Sequence, residues 1–130
     1  MSTRGFSDIV DVTEQVVTVV KKSGLQEGSC MVFVSGSTAG VTTIEYEPGL
    51  VKDLPEALEK FAPSEKRYHH DDTWADGNGD AHVRAAIIGG SFTAPFKDGA
   101  LMLGTWQQIV VVDCDNKSRQ RRIVVQIMGK

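Results

Sequence analysis

The chain has 130 residues, 41% apolar and 24% charged, with a formal net charge of −3 and an isoelectric point near 5.5. That length suits one domain, residues 1–130, with its own core; the acidic balance excludes a general nucleic-acid binder, which carries a basic excess. No apolar run approaches the ~20 residues of a membrane-spanning helix, and Met1–Gln15 lacks the apolar stretch of a secretion signal, so no membrane contact and a cytoplasmic location are expected.

Asp11–Gly24 ("DVTEQVVTVVKKSG") predicts the first helix. Thr13 is placed as its N-cap, Val16, Val17 and Val20 on one side, Lys21 and Lys22 in the last turn and Gly24 at its close. Its valines are weak helix formers, so packing must hold it. Cys30–Gly36 ("CMVFVSG") and Val41–Glu47 ("VTTIEYE") read as strands. Cys30 and Cys114 each sit in an apolar run and are expected as buried free thiols.

Leu50, Leu54, Leu58 and Phe61 fall at helical spacing. Pro55 is disfavoured deep inside a helix, so the expectation is a helix over Pro55–Phe61 after a separate turn at Leu50–Asp53. "AHVRAAIIGG" (81–90) is ambiguous between helix and strand. "SFTAPF", "GALMLGTWQQIVVVDCD" and "RRIVVQIMG" read as strands joined by turns at Lys97–Gly99 and Asp115–Gln120. The basic run Lys117–Arg122 ("KSRQRR") reads as a solvated hairpin tip, with phosphate contact as the alternative. The fold class is therefore α+β: a mainly antiparallel, β-sandwich-like single domain with two short helices.

The chemistry gathers in "KRYHHDDTWADGNGDAH" (66–82), which holds all three histidines. Asp76–Asp80 opens like a calcium loop, but Ala81 stands at the turn glycine and Ile87 at the bidentate glutamate, so calcium is rejected. "GSTAG" (36–40) is not a nucleophile elbow, because Thr38 is central and a strand follows. Small residues and the hydroxyls of Ser37 and Thr38 suit either an anion or a plain tight turn. His70, Asp71 and His82 suit zinc or another divalent metal if the loop folds back. Hydrogen-bonded structural histidines remain the other reading, and His69 reads as a solvated surface residue.

Taken together, "STAGVTTIEYEPG", "YHHD", "NGDAH", "LGTWQQI" and "RRIVVQIMG" resemble the YjbQ family, also called secondary thiamine-phosphate synthases. The resemblance runs in register from about Cys30 to Lys130. It implies a trimeric β-sandwich-like α+β domain, with a weak or secondary activity that joins a pyrimidine diphosphate to a thiazole phosphate. The alternative it leaves open is a non-catalytic homotrimer that binds a phosphometabolite or metal.

Carried over by residue, the resemblance implies catalytic roles for His70, His82 and Glu45. Metal ligation falls to His70, His82 and Asp71. Binding of a small phosphorylated molecule falls to Ser37, Thr38, Arg84, Trp106 and Gln107. Many relatives have a histidine where this chain has Gly36, so a three-histidine metal site is not available here. His70 and His82 are expected to face a pocket walled by Gly104–Gln107 and Gly36–Gly40, with Trp106 as a stacking face and His69, Asp72 and Asp76 as solvated remainder.

Overall fold

A computed structural model describes all 130 residues. In chain order the elements are β1 (Ser2–Thr3), β2 (Asp8–Asp11), α1 (Thr13–Ser23), β3 (Glu27–Ser35), β4 (Ala39–Ile44), α2 (Pro48–Phe61) and α3 (Asp71–Trp74). There follow α4 (Gly79–Ile88), β5 (Ser91–Lys97), β6 (Ala100–Leu101), β7 (Gln108–Asp113), β8 (Arg119–Gln120) and β9 (Arg122–Gly129). The domain is α+β and its sheets are antiparallel.

Two sheets form the frame, in the orders β2-β7-β4 and β6-β5-β3-β9, with β1 and β8 as a small separate pair. Alternation along β3 turns Cys30, Val32 and Val34 inward, and β7 answers with Ile109 and Val111. Val16 and Val20 of α1 close that core. The other face of β7, Val110 and Val112, packs with Cys114 against Leu58 of α2 and Ala81 of α4. Because β7 is covered on both faces, its sequence is a continuous apolar run rather than an alternating one. Burial pushes the Cys114 thiol up to about 11, so this free cysteine is an inert core group.

Several local expectations are corrected. Val12, not Thr13, is the N-cap of α1; the Thr13 hydroxyl donates to Asp11 and accepts the Ile109 N–H at 2.8 Å, tying the helix to β7. Pro55 lies inside one continuous α2. That helix starts earlier because Pro48 stands in its first turn and the Glu47 carboxylate accepts the Gly49 and Leu50 N–H groups. Two helices become four: residues 79–88 form α4, and α3 adds a single turn. No helix is long and apolar enough to cross a membrane.

The β3-to-β4 passage switches sheets through Gly36, Ser37 and Thr38, and α4 runs beside β4. At Gly40 a β-carbon would lie 2.5 Å from the Ile88 side chain and 2.7 Å from the Gly89 carbonyl, so the close strand–helix approach requires glycine. These two contacts carry the sheet-switching bend and His82 to the same end of the domain.

Candidate functional site

A groove of about 350 Å³ opens at that end, lined by Ser37, His70, Trp74, Asp76, Asn78 and His82, with Arg119 and Arg121 also contributing. Its foundation is a buried charge network just past β7. Asp113 and Asp115 are both fully buried. Arg121 donates from Nε to Asp113 at 2.7 Å, and from Nη2 to Asp113 at 2.9 Å and to the Thr38 hydroxyl at 2.6 Å. Arg119 donates to Asp115 at 2.7 Å, and Asn78 Nδ2 donates to it at 3.1 Å.

Burial opposes ionisation of Asp115, yet hydrogen bonds from Asn78, Arg119 and the Asn116 N–H hold its pKa down at about 2. Burial likewise opposes ionisation of Asp113, and Arg121 and Thr3 lower its pKa below the ordinary value. Because Asp115 is an ionised acceptor, Asn78 must offer Nδ2 to it. The Asn78 Oδ1 is then buried without a partner beside the groove.

Arg121 has one nitrogen to spare. Its Nη1 makes no hydrogen bond within the chain, and a β-carbon at residue 36 would lie 2.7 Å from it. Gly36 also has φ 137°, outside the range that side chains accept. Glycine there leaves room for the guanidinium at the Ser37 bend.

Above this floor the rings of His70 and His82 lie with centroids 4.3 Å apart and planes tilted by 35°. His70 precedes the short α3, and the chain then reverses through Ala75 and Gly77, both with positive φ. The Gly77 N–H donates to Asp71 at 3.2 Å, and Asn116 donates to the Asp76 carbonyl at 3.0 Å. The reversal brings Asp76 back over His70.

The expected residues divide into three groups. Ser37, His70 and His82 meet in the groove, with Thr38 and Asp71 beside it. Glu45, Trp106 and Gln107 do not join them. Ala39 pairs with Asp113 at the groove end of the β4–β7 ladder, whereas Ile44 pairs with Gln108 at the other end. A strand of that length separates the ends by about 17–20 Å. Residues 104–107 form an exposed turn rather than a strand, Gln107 bonding Gly104 and Thr43, so Trp106 cannot wall this groove.

Arg84 also stands elsewhere. It is buried, donates to the Ala62 carbonyl, Ser7 and Glu59, and lies 3.6 Å from Asp80. Its guanidinium fastens α4 to the end of α2 and is not free to take phosphate. The expected metal trio changes too: donor atoms of His70, Asp71 and Asp76 lie within 4.8 Å of one another, and His82 is not in that group.

The sequence reading missed Trp74, Asn78, Arg121 and the role of Asp76. Trp74 is 72% exposed at the groove rim. Two signals were available: Trp74 stands two positions after the "HHDD" motif, and Arg121 immediately precedes the apolar strand run "RIVVQIMG".

A model of the YjbQ-like UPF0047 family matches residues 1–130. The chain belongs to that family. A UPF0047 protein of Methanothermobacter thermautotrophicus is 37% identical over 123 residues, 95% of this chain and 84% of that protein. One from Archaeoglobus fulgidus is 36% identical over 93% of this chain and 91% of its own. The crystal structure of a YbjQ-like protein from Sulfolobus solfataricus superposes with a TM-score of 0.92 at 34% identity, covering 100% of this chain and 94% of that one. YjbQ-like membership thus rests on the whole domain, including the sheet-switching bend and the histidine loop.

Proposed function

We propose that the groove binds a phosphate-bearing heterocycle and supports a weak, secondary transfer of the thiamine-phosphate-synthase type. The observation that carries this reading is the spare Arg121 Nη1 at the Gly36–Ser37 bend, across from the His70–His82 pair. Its other two nitrogens are held by Asp113 and Thr38, so the free N–H groups are pre-oriented toward an anion. Ser37 adds a hydroxyl, and Trp74 offers a flat apolar face at the rim.

In such a transfer the thiazole nitrogen attacks the methylene carbon of the pyrimidine diphosphate. The C–N bond forms, the C–O bond to diphosphate breaks, and pyrophosphate leaves with the electron pair. Arg121 and Ser37 would stabilise the charge gathering on that leaving group. His82 would place the diphosphate against them. Glu45 takes no part within one chain because of its distance along β4. The commitment of Arg84 elsewhere leaves little cationic charge for the leaving group, which favours simple binding as the second reading.

Pyrophosphate at 100 times its dissociation constant should add roughly 2.7 kcal/mol to folding stability, read as a rise in melting temperature. The enzyme reading further requires pyrophosphate release from the two precursors above the rate without protein. At saturating substrate that release should fall at least about 10-fold in His82→Ala, a barrier increase of ~1.4 kcal/mol. Thermal protection without turnover leaves the binding reading; neither effect removes both.

We also propose that the chain assembles as a homotrimer. The support lies in the four-stranded sheet, whose outer face has no covering layer: Phe33 and Met128 are 39% and 64% exposed there, and β9 is an edge strand. Native mass spectrometry at micromolar concentration should show three chains; a stable monomer would sink the proposal.

A further inference from the structure

We infer that the cavity enclosed by the Gly5–Ser7 turn, the C-terminal half of α2 and the first turns of α4 binds a small organic cation, a primary ammonium on a short carbon chain, through the Asp80 carboxylate. The site is separate from the groove, and the inference does not rest on what the groove binds.

The cavity holds about 370 Å³ and is lined by Phe6, Ser7, Pro55, Glu59, Asp80 and Arg84, among others. A single water takes a share of about 30 Å³, so the space suits an organic group of several atoms. Asp80 is only 7% exposed and lines this space.

The hydrogen bonds serve the two carboxylates unequally. Arg84 donates from Nε to the Ala62 carbonyl at 3.0 Å and from Nη1 to Ser7 at 3.1 Å. Its Nη2 donates to Glu59 at 2.6 Å and to the Ala62 carbonyl at 2.7 Å, which uses both hydrogens of that atom. Asp80 lies 3.6 Å from Nη2, beyond a hydrogen bond, and receives no side-chain donor. Glu59 is the opposite case. Its other oxygen accepts the Ser64 N–H at 2.8 Å and the Ser64 hydroxyl at 3.0 Å. Glu59 therefore offsets the charge of Arg84, and Asp80 is left as a buried carboxylate in excess. Buried charges are stable when paired and hydrogen-bonded, so the partner that Asp80 lacks is a monocation carrying N–H groups.

The remaining lining selects the kind of cation. Phe6, 72% exposed, stands at the mouth, and Pro55 lines the α2 side. An ammonium within about 6 Å of an aromatic face is attracted to it, and both side chains offer apolar surface to a carbon chain. Phe6 is held in place by its backbone. Gly5, Phe6 and Ser7 all have positive φ, at 79°, 56° and 62°. The Phe6 N–H donates to the Asp115 carbonyl at 2.7 Å, and Ser7 is fixed between Arg84 and Cys114. A bare metal ion suits the cavity less, because one carboxylate is free and a guanidinium stands 3.6 Å from it. The chain from Asp76 to Asp80 is a shared wall: Asp76 and Asn78 line the groove, Gly77 and Asp80 the cavity. Both sites can therefore be filled at once.

The probe is n-butylammonium chloride at neutral pH and constant ionic strength, followed by amide NMR shifts of the full chain, with 1-butanol as its uncharged match. Butylammonium is expected to bind saturably in the millimolar range, shifting Phe6, Ser64, Gly77 and Asp80, with butanol at least about 10-fold weaker. Asp80→Asn should weaken butylammonium at least about 10-fold and Phe6→Ala about 3-fold, both with unchanged far-UV circular dichroism. Saturating pyrophosphate should not displace it. Displacement, or shifts confined to groove residues, would place the cation in the groove and overturn the site. Butanol binding as well as butylammonium would overturn the charge recognition, and so would wild-type affinity in Asp80→Asn. Should Asp80→Asn not fold, Phe6→Ala and the shift map decide: wild-type affinity in Phe6→Ala, or no saturable binding by the wild type, refutes the proposal.

Discussion

Arg121→Met is expected to lower folding stability by about 3–5 kcal/mol, the usual cost of stranding one member of a buried ion pair. In a domain of this size that is a fall of on the order of 10–20 °C in melting temperature. The loss follows from what Arg121 leaves behind. Asp113 is fully buried and would keep only the Thr3 hydroxyl and the Asp115 N–H as donors. Thr38 would lose the Nη2 donor that fixes the sheet-switching bend. Arg119→Met is the matched control: its side chain is 40% exposed and pairs with Asp115 alone. Its effect should be smaller, about 1–2 kcal/mol, because Arg119 is itself partly solvated and the buried Asp115 keeps Thr38, Asn78 and the Asn116 N–H as donors. Thermal or urea unfolding of the two variants measures the difference. Equal losses would mean that the network is not centred on Arg121.

Acid should unfold the protein through the same network. Asp115 and Asp113 both bind protons more weakly in the folded chain than in the unfolded one, Asp115 with a folded pKa of about 2. Their stabilisation is therefore complete above the unfolded aspartate value near 4 and is lost as pH falls from about 4 toward 2. Asp115 alone contributes about 2 kcal/mol to that slope, since each unit of difference is worth roughly 1.4 kcal/mol. Asp80 acts with the opposite sign: burial raises its pKa, against the pull of Arg84, so ionising it costs stability as pH rises past its unfolded value. Urea titrations at pH 2.5, 4 and 6 should show a steep loss only below pH 4. Asp115→Asn should flatten the acid limb while lowering stability at pH 6. An unchanged acid limb in that variant would refute the assignment.

Much of the frame was legible in the residues themselves. The α1 helix, closed by Gly24 in a left-handed conformation after Lys21 and Lys22, follows from local periodicity and local backbone freedom. The run "QIVVVDC" reads as a strand because a short, β-branched apolar run suits a strand covered on both faces. The family motifs, too, could be found from the residues alone. Local pattern was weaker where tertiary contacts set the outcome. The two-residue β1 and four-residue β2 have no period long enough to read. Residues 81–90 read ambiguously because α4 buries Ala81, Arg84 and Ala85 while presenting Val83 and Ile87 to solvent, which blurs the helical stripe.

The site shows the division most clearly. Residue types and spacing gathered the imidazoles and carboxylates of 66–82 into one candidate loop, since neighbours in sequence cannot lie far apart. Which of them share a donor set was settled by the left-handed turn at Ala75, which returns Asp76 to His70 while His82 stacks from α4. Arg84 and Arg121 are the same chemical group, and nothing local distinguishes their duties. The docking of α2 against α4 commits one of them. The position of Asp113 at the end of β7, opposite Ala39, leaves the other with a nitrogen at Gly36. Likewise the sequence pointed to Trp106 and passed over Trp74, and only the tertiary structure puts Trp74 at the groove and residues 104–107 at the far end of the β4–β7 ladder. Propensity and periodicity act over a few residues, whereas the bonds that assign the two arginines reach from Arg84 to Ala62 and from Arg121 to Thr38, 22 and 83 positions away, so the sequence determined the elements and the tertiary structure decided the site.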